Sequence, residues 1–263
     1  MLTSNEYLTL VDEVNRLRNQ VHLFDTEEIS EQALDDLKHK ISLYETTNPD
    51  QISKNSPNYI IAGGVAEKFV KSRHTRRMLS LNDIFNKKEL EEWQQRWIDY
   101  GVRNNVFQFQ ENLEISSENI NSLQINDNEI QIHYICEPKI DGLAISLEYE
   151  NGVLTTATTR GDGWTGELVT ENINQIRAIP KNIDFKSKME VRGEVFFTKK
   201  DFENLNKAIL AGEKVGKMSQ IGVDGIFSNP RNAASGTIRQ LDSKIVGERN
   251  LSFIAYGCWI YEE

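Results

Sequence analysis

Disulfides, metal clusters and membrane spans have little to build on in this sequence. Its 263 residues hold two cysteines, Cys136 and Cys258, in no CxxC or other metal-binding spacing, which excludes a disulfide framework or a zinc site of the usual pattern. No stretch approaches the roughly 18 apolar residues that a membrane span needs. Residues 1–10 lack the basic region followed by an apolar one that marks a secretory signal. A cytoplasmic, reducing compartment and no membrane partner are therefore expected. Excess positive charge is missing too: 30 Lys and Arg face 40 Asp and Glu, a net charge of −10. A free-standing nucleic-acid binder is usually basic, because neutralising phosphates supplies much of its affinity. Such a partner would have to be gripped by a local patch. The one dense basic cluster is Lys71, Arg73, His74, Arg76 and Arg77, which reads as a solvated face, with phosphate contact as the alternative.

What is present is an ordinary globular composition, long enough for one large domain, or for a small one plus a domain of about 180–200 residues. Leu10, Val11, Val14, Leu17 and Val21 recur at helical spacing and predict a helix over Tyr7–Leu23. Ser30 ahead of Leu34, Leu37 and Ile41 predicts a second helix with Ser30 as its N-cap. The turn-rich stretch from Asn48-Pro49-Asp50 to Ser56-Pro57-Asn58 reads as a linker. A third helix is expected at Lys87–Tyr100, with Trp93 and Trp97 packing on one face. Asn104–Glu129 is polar, Asn-rich and aperiodic, and reads as an irregular insertion. From Ile130 the period becomes two: Ile130 to Cys136, then Leu143, Ile145, Leu147 and Tyr149. Asn151-Gly152 then marks a hairpin. Met189–Phe197 is another strand with Glu190, Arg192 and Glu194 on one face, Lys200–Leu210 a helix, and Asn250–Tyr261 a last apolar strand. The fold class is α+β, helices ahead of an antiparallel sheet.

Chemistry gathers in EPKIDGLAISL, Glu137–Leu147, and in Arg160-Gly161-Asp162-Gly163 one hairpin later. Together they hold an amine, carboxylates, a guanidinium and a glycine-flexed turn, the groups needed to attack a phosphate with a side-chain nitrogen. A free lysine has a pKa near 10.4, so about one in a thousand is neutral at pH 7.4. Using Lys139 as a nucleophile costs roughly 4 kcal/mol unless desolvation or nearby positive charge helps. Asp141 and Glu137 share its face if the strand extends that far back, and Asp141 would then orient the ammonium or a sugar hydroxyl. Alone, KxDG equally describes a surface strand with a salt-bridged lysine. Arg160 suits a phosphate or ribose. A carboxylate on a buried strand must have a partner. Glu194 would bind a ribose hydroxyl, or Mg²⁺ through water, or else form an ion pair with Arg192. Asn229–Gly236 reads as a small, polar helix start.

These segments resemble the NAD⁺-dependent DNA ligases of bacteria. EPKIDGLAISL is similar to their nucleophile motif, and TTRGDGWTGELVTENINQIRAIP to the loop and helix after it. EVRGEVF and FSNPRNAASGTIRQLDSKI resemble the next two signatures in order, and MLSL, Met78–Leu81, stands where the family contacts adenine. The resemblance implies a helical, NMN-binding-like subdomain over 1–58. It implies an ATP-grasp-like nucleotidyltransferase core of adenylation type over 59–263, C-terminally incomplete. It makes Lys139 the AMP-lysine, with Glu137, Asp141, Arg160, Glu194, Ser80 and Leu81 as nucleotide-binding residues. NAD⁺ would be the AMP donor, Mg²⁺ the metal and nicked double-stranded DNA the substrate.

The sequence also departs from that family. Where the nicotinamide-binding pattern runs YHxxDxPxxxDxxYD, it reads VHLFDTEEISEQALD, Val21–Asp35. His22 and Asp35 remain, Val21 and Leu34 replace aromatic rings, and Glu31 replaces an Asp. Glu31 and Asp35 retain polar binding of nicotinamide, or form an exposed helix face. The family's DGVVIK-like strand, a further lysine-bearing strand, and its OB-fold, zinc-finger, helix–hairpin–helix and BRCT regions do not occur before Glu263. The expectation is a chain completed by a second polypeptide that carries those motifs, a split ligase. A truncated fragment or a non-catalytic interaction subunit is the alternative. An ATP-dependent or RNA ligase is disfavoured by the N-terminal helices and the RGDG run.

Overall fold

The structure, a computed structural model, describes residues 2–20, 29–60, 69–81, 83–104, 136–212 and 225–261. The chain divides into two compact units, Met1–Leu79 with Lys139–Glu263, and Ser80–Pro138. In the first, α1 (Ser4–Asn19) and α2 (Glu31–Thr47) lie against each other. Helix α1 starts earlier than its apolar period predicts, because Thr3 and Glu6 form a capping box: the Thr3 amide donates to the Glu6 carboxylate at 2.7 Å. Ser30 caps α2 as expected, its hydroxyl accepting from the Ala33 amide at 3.2 Å. Tyr7, Val11, Val14, Ile41 and Tyr44 form the core between these helices, with the rings of Tyr7 and Tyr44 stacked at 4.3 Å. The turn-rich stretch after α2 is wired back to them. Asn58 donates to Glu45 at 2.8 Å, and Arg18 donates to the carbonyls of Pro57 and Ile60, both at 3.0 Å.

The larger part of this unit is an antiparallel sheet built from β2 (Leu143–Glu150), β3 (Val153–Thr159), β5 (Met189–Phe196) and β6 (Ser252–Ile260), in the order β3-β2-β5-β6. The Asn151-Gly152 turn joins β2 to β3 with both residues at positive φ, 53° and 81°, the geometry that matches strand twist. A separate two-stranded ribbon pairs β1 (Lys71–Arg73) with β4 (Thr165–Glu167). The period of two divides β2 cleanly. Ile145, Leu147 and Tyr149 enter the core with Val195, Leu154 and Ala157, against α4 (Thr170–Ile173), α5 (Lys199–Leu210), α6 (Pro230–Ile238) and α7 (Ser243–Glu248). Ala144 and Ser146 face the other side, opposite Glu194 and Arg192 of β5. Small residues let α6 pack tightly: Ala233, Ala234 and Gly236 are buried.

The second unit holds α3 (Lys87–Arg103), one turn longer than its apolar period predicts. Asn86 caps its start and the Asn104 side chain donates to the Tyr100 carbonyl at 2.8 Å at its end. Trp93 and Trp97 lie on one face with ring centroids 6.3 Å apart. The expected strand from Ile130, apart from Cys136, which is irregular, and all but the first residue of the Asn104–Glu129 insertion lie outside the described residues, as does the end of the first helix beyond residue 20. Among the described residues, no helix is long and apolar enough to cross a membrane.

Candidate active site

The polar face of the main sheet ends in a cluster of opposite charges. Lys139 and Asp141 precede β2 rather than continue it: residues 136–141 are irregular, so shared strand facing does not place them. Tertiary contacts do. Asp141 forms an ion pair with Arg231, the second residue of α6. Asn229 caps that helix by accepting from the Asn232 amide at 2.8 Å, and Pro230 opens it, so the NPRN sequence fixes where Arg231 emerges. Glu194 stands on β5 among Arg231, Lys139 and Arg160, close enough for all three cations and the Asp141 carboxylate to act on it. Burial nevertheless pushes its carboxyl above the usual range, the cations offsetting only part of that cost. Burial also lowers Arg160, reinforced by Arg231 and opposed by Glu194 and Tyr256.

The Arg160–Gly163 turn is held by its own aspartate. Asp162 Oδ1 accepts from the Trp164 and Thr165 amides at 2.8 and 2.7 Å, and the Gly163 amide closes onto the Arg160 carbonyl at 2.9 Å. Asp162 is thus a turn-former, and Arg160 is the residue presented to the site. Gly161 sits at φ +55°, and a β-carbon there would lie 1.9 Å from the Thr165 carbonyl.

The ion-pair alternative for Glu194 does not form. Arg192 pairs with Glu190 at 2.6 Å, leaving Glu194 to the Lys139 cluster. Neither Arg231 nor Tyr256 was assigned a role from sequence. Arg231 lay inside a motif that reads as a helix start. Tyr256 is aimed by a bulge: β6 pairs Gly257 with Arg192 and Ala255 with Gly193, leaving Tyr256 as the extra residue. Partial burial of its hydroxyl and the charge of Glu194 push its pKa up to about 12. No alternation rule locates a bulge, so this residue was hidden from the sequence.

Other expectations fall differently. Ser80, Leu81 and Glu137 are exposed residues of the second unit, and the Ser80 hydroxyl turns back to the Leu81 carbonyl at 3.4 Å. His22 lies outside the described residues, as does the side chain of Glu31. Asp35, on α2, pairs with Lys38 at 3.1 Å. The basic cluster is not a uniform solvated face. His74 is buried, with Nε2 3.0 Å from the Thr159 carbonyl, while Arg76 and Arg77 lie over the rings of Tyr261 and Trp164. Among the described residues no three His, Cys, Asp or Glu gather for a metal. Asp141 and Glu194 do suit a Mg²⁺ held by one or two carboxylates, water and substrate phosphates.

Fold and site define an α+β domain in which an exposed lysine stands in a charged cluster at the polar face of an antiparallel sheet. A family model described as the NAD-dependent DNA ligase adenylation domain matches residues 103–263, and the chain belongs to that family. It is 36% identical over 255 residues to a DNA ligase of Helicobacter pylori strain J99, covering 97% of this chain and 33% of that protein. A DNA ligase of Sulfurimonas denitrificans is 36% identical over 256 residues and one of Campylobacter concisus 38% over 256, with the same coverage. The chain thus spans about a third of the length of the curated relatives it matches.

Proposed function

We propose that this chain is the adenylation part of an NAD⁺-dependent DNA ligase and that Lys139 is its nucleophile. The observation that carries the reading is the convergence of Lys139, Arg160 and Arg231 on Glu194 in one charged cluster. In the first step the neutral Lys139 amine attacks the adenylyl phosphorus of NAD⁺. A P–N bond forms, the bridging P–O bond breaks, and nicotinamide mononucleotide leaves with the bonding electron pair; the amine proton passes to solvent or a nearby carboxylate. AMP then moves to the 5′-phosphate of a DNA nick, where the 3′-hydroxyl displaces it. Arg160 offers a fixed guanidinium to phosphate or ribose, and Glu194 a partly buried acceptor for a ribose hydroxyl. Mg²⁺, when bound with the substrate, supplies charge stabilisation of the phosphoryl oxygens.

In this reading residues 1–58 are the NMN-binding-like subdomain, with His22, Glu31 and Asp35 toward the nicotinamide half, and 59–263 are the adenylation domain. Ser80, Leu81 and Glu137 contribute to adenosine binding, and Asp141 holds Arg231 in register. Nicked duplex DNA is the substrate, the cytoplasm the compartment, and a second polypeptide supplies the remaining motifs and OB-fold. Incubation with NAD⁺ and Mg²⁺, alone and with any co-encoded chain, tests this by intact mass. An AMP adduct formed with NAD⁺ and accompanied by NMN release supports it. An adduct with ATP alone assigns the chain to the other nucleotidyltransferases, and no adduct under any condition leaves a non-catalytic subunit.

A further inference from the structure

Arg192 lies two residues before Glu194 on β5, so both side chains project from the polar face of the sheet. It does not point at the charged cluster around Lys139. Only 6% of its surface is exposed, and its guanidinium reaches a segment more than a hundred residues away. Nη1 donates to the Arg77 carbonyl at 2.9 Å and Nη2 to the Arg76 carbonyl at 2.6 Å. Nε donates to Glu190 at 2.6 Å, and the guanidinium lies over the Trp259 ring at 4.6 Å. Glu190 is itself buried and also accepts from Ser146 and Tyr261, both at 2.7 Å.

The segment gripped in this way is tied at the same time to the turn that presents Arg160. The His74 amide donates to the Trp164 carbonyl at 2.9 Å and the Met78 amide to the Gly163 carbonyl at 2.8 Å. The His74 ring approaches the Thr159 and Arg160 carbonyls at 3.0 and 3.2 Å. Two carbonyl acceptors for a ring nitrogen require a protonated Nε2. Residues 71–78 are thus fastened to the sheet by Arg192 and to the Arg160–Gly163 turn by His74 and Met78.

We propose that Arg192 is a positioning residue for nucleotide capture: its forked grip on the Arg76 and Arg77 carbonyls holds segment 71–78 against the turn that aims Arg160. The proposal deepens the reading of Lys139 as an adenylated nucleophile and rests on it. A buried ion pair with Glu190 alone would not need the fork. Only a planar guanidinium can satisfy a carboxylate through Nε and two successive carbonyls through its terminal nitrogens. Lysine keeps the charge but loses that geometry. The segment has little apolar burial of its own beyond Met78, so polar ties set where it lies.

Two variants, Arg192→Met and Arg192→Lys, test this with hydrogen exchange and with AMP-adduct rates over a range of NAD⁺ concentrations. For Arg192→Met, exchange at the His74 and Met78 amides rises about tenfold or more while Ile145 and Leu147 stay protected. The NAD⁺ concentration for half-maximal rate rises by about tenfold to a hundredfold with a smaller change in the maximal rate. Arg192→Lys falls between Arg192→Met and wild type, and it decides the question if the methionine variant does not fold. Unchanged exchange in 71–78, a loss of protection shared equally by β2, or an unchanged NAD⁺ dependence overturns the proposal. A wild-type chain that forms no adduct, either alone or with a co-encoded polypeptide, overturns the reading of Lys139 and this proposal together. A wild-type adduct with indifferent variants removes this proposal alone.

Discussion

Replacing Gly161 by alanine separates two costs that the structure lets one distinguish. Gly161 and Gly212 both have positive φ, +55° and +74°. A non-glycine residue in that region costs about 1–2 kcal/mol. At Gly212 nothing among the described residues lies within 4 Å of where a β-carbon would go, so strain is the effect expected there. At Gly161 the β-carbon would meet the Thr165 carbonyl oxygen at 1.9 Å and the Gly166 α-carbon at 2.8 Å. Both are backbone atoms, which cannot rotate away, so the turn must open by an ångström or so. Overpacking of this kind adds about 1–3 kcal/mol. Gly212→Ala is therefore expected to lower Tm by about 2–8 °C and Gly161→Ala by about 4–20 °C, taking about 2–4 °C per kcal/mol for a domain of this size. Calorimetry measures both. An opened turn also misplaces Arg160, so Gly161→Ala loses adduct formation by up to about a hundredfold, whereas Gly212→Ala keeps it. Equal Tm losses in the two variants, or a fully active Gly161→Ala, would refute the claim that this turn is sterically closed and aims Arg160.

Further outcomes follow from buried polar groups. Burial raises the Glu190 carboxyl, but donors from Arg192, Tyr261 and Ser146 outweigh it, so its pKa is lowered overall. A depressed folded pKa gives stability that is present above the ordinary carboxylate range and lost as pH falls through the folded value. Glu190→Gln should therefore lower Tm most at neutral pH, with the gap to wild type closing below about pH 4; a gap independent of pH contradicts this. Lys181 donates to the carbonyls of Ile173, Ile176 and Ile179 at 3.1, 2.8 and 2.9 Å. Lys181→Met should cost about 1–3 kcal/mol, with water replacing part of the loss, and thermal melts measure it.

The elements were legible where one local rule decides them. Alternation in Leu143–Tyr149, the Asn151-Gly152 turn and the Ser30 cap needed no tertiary information. The early start of α1 was also written locally, in Thr3 and Glu6, but a search for apolar spacing passes over a capping box. The site was legible only as a set of residue types. Lys139, Arg160 and Glu194 stood out as reactive, yet their convergence depends on the register of β2 against β5 and on where α6 begins. Arg231 arrives from ninety residues after Asp141, and Tyr256 is turned by a bulge that no period reveals. The pairing of Arg192 with Glu190 rather than Glu194 was equally open. Two acids flank that arginine at equal spacing on one strand, and the choice is made by Ser146 and Tyr261, which complete the bonds of Glu190 alone.

The most direct measurement is peptide mapping of the chain after incubation with NAD⁺ and Mg²⁺, with the co-encoded polypeptide added where one exists. The expected result is one AMP per chain on the peptide that contains Lys139, with release of nicotinamide mononucleotide, and no adduct in Lys139→Ala. AMP on another residue, or an undiminished adduct in Lys139→Ala, would contradict the assignment of the nucleophile.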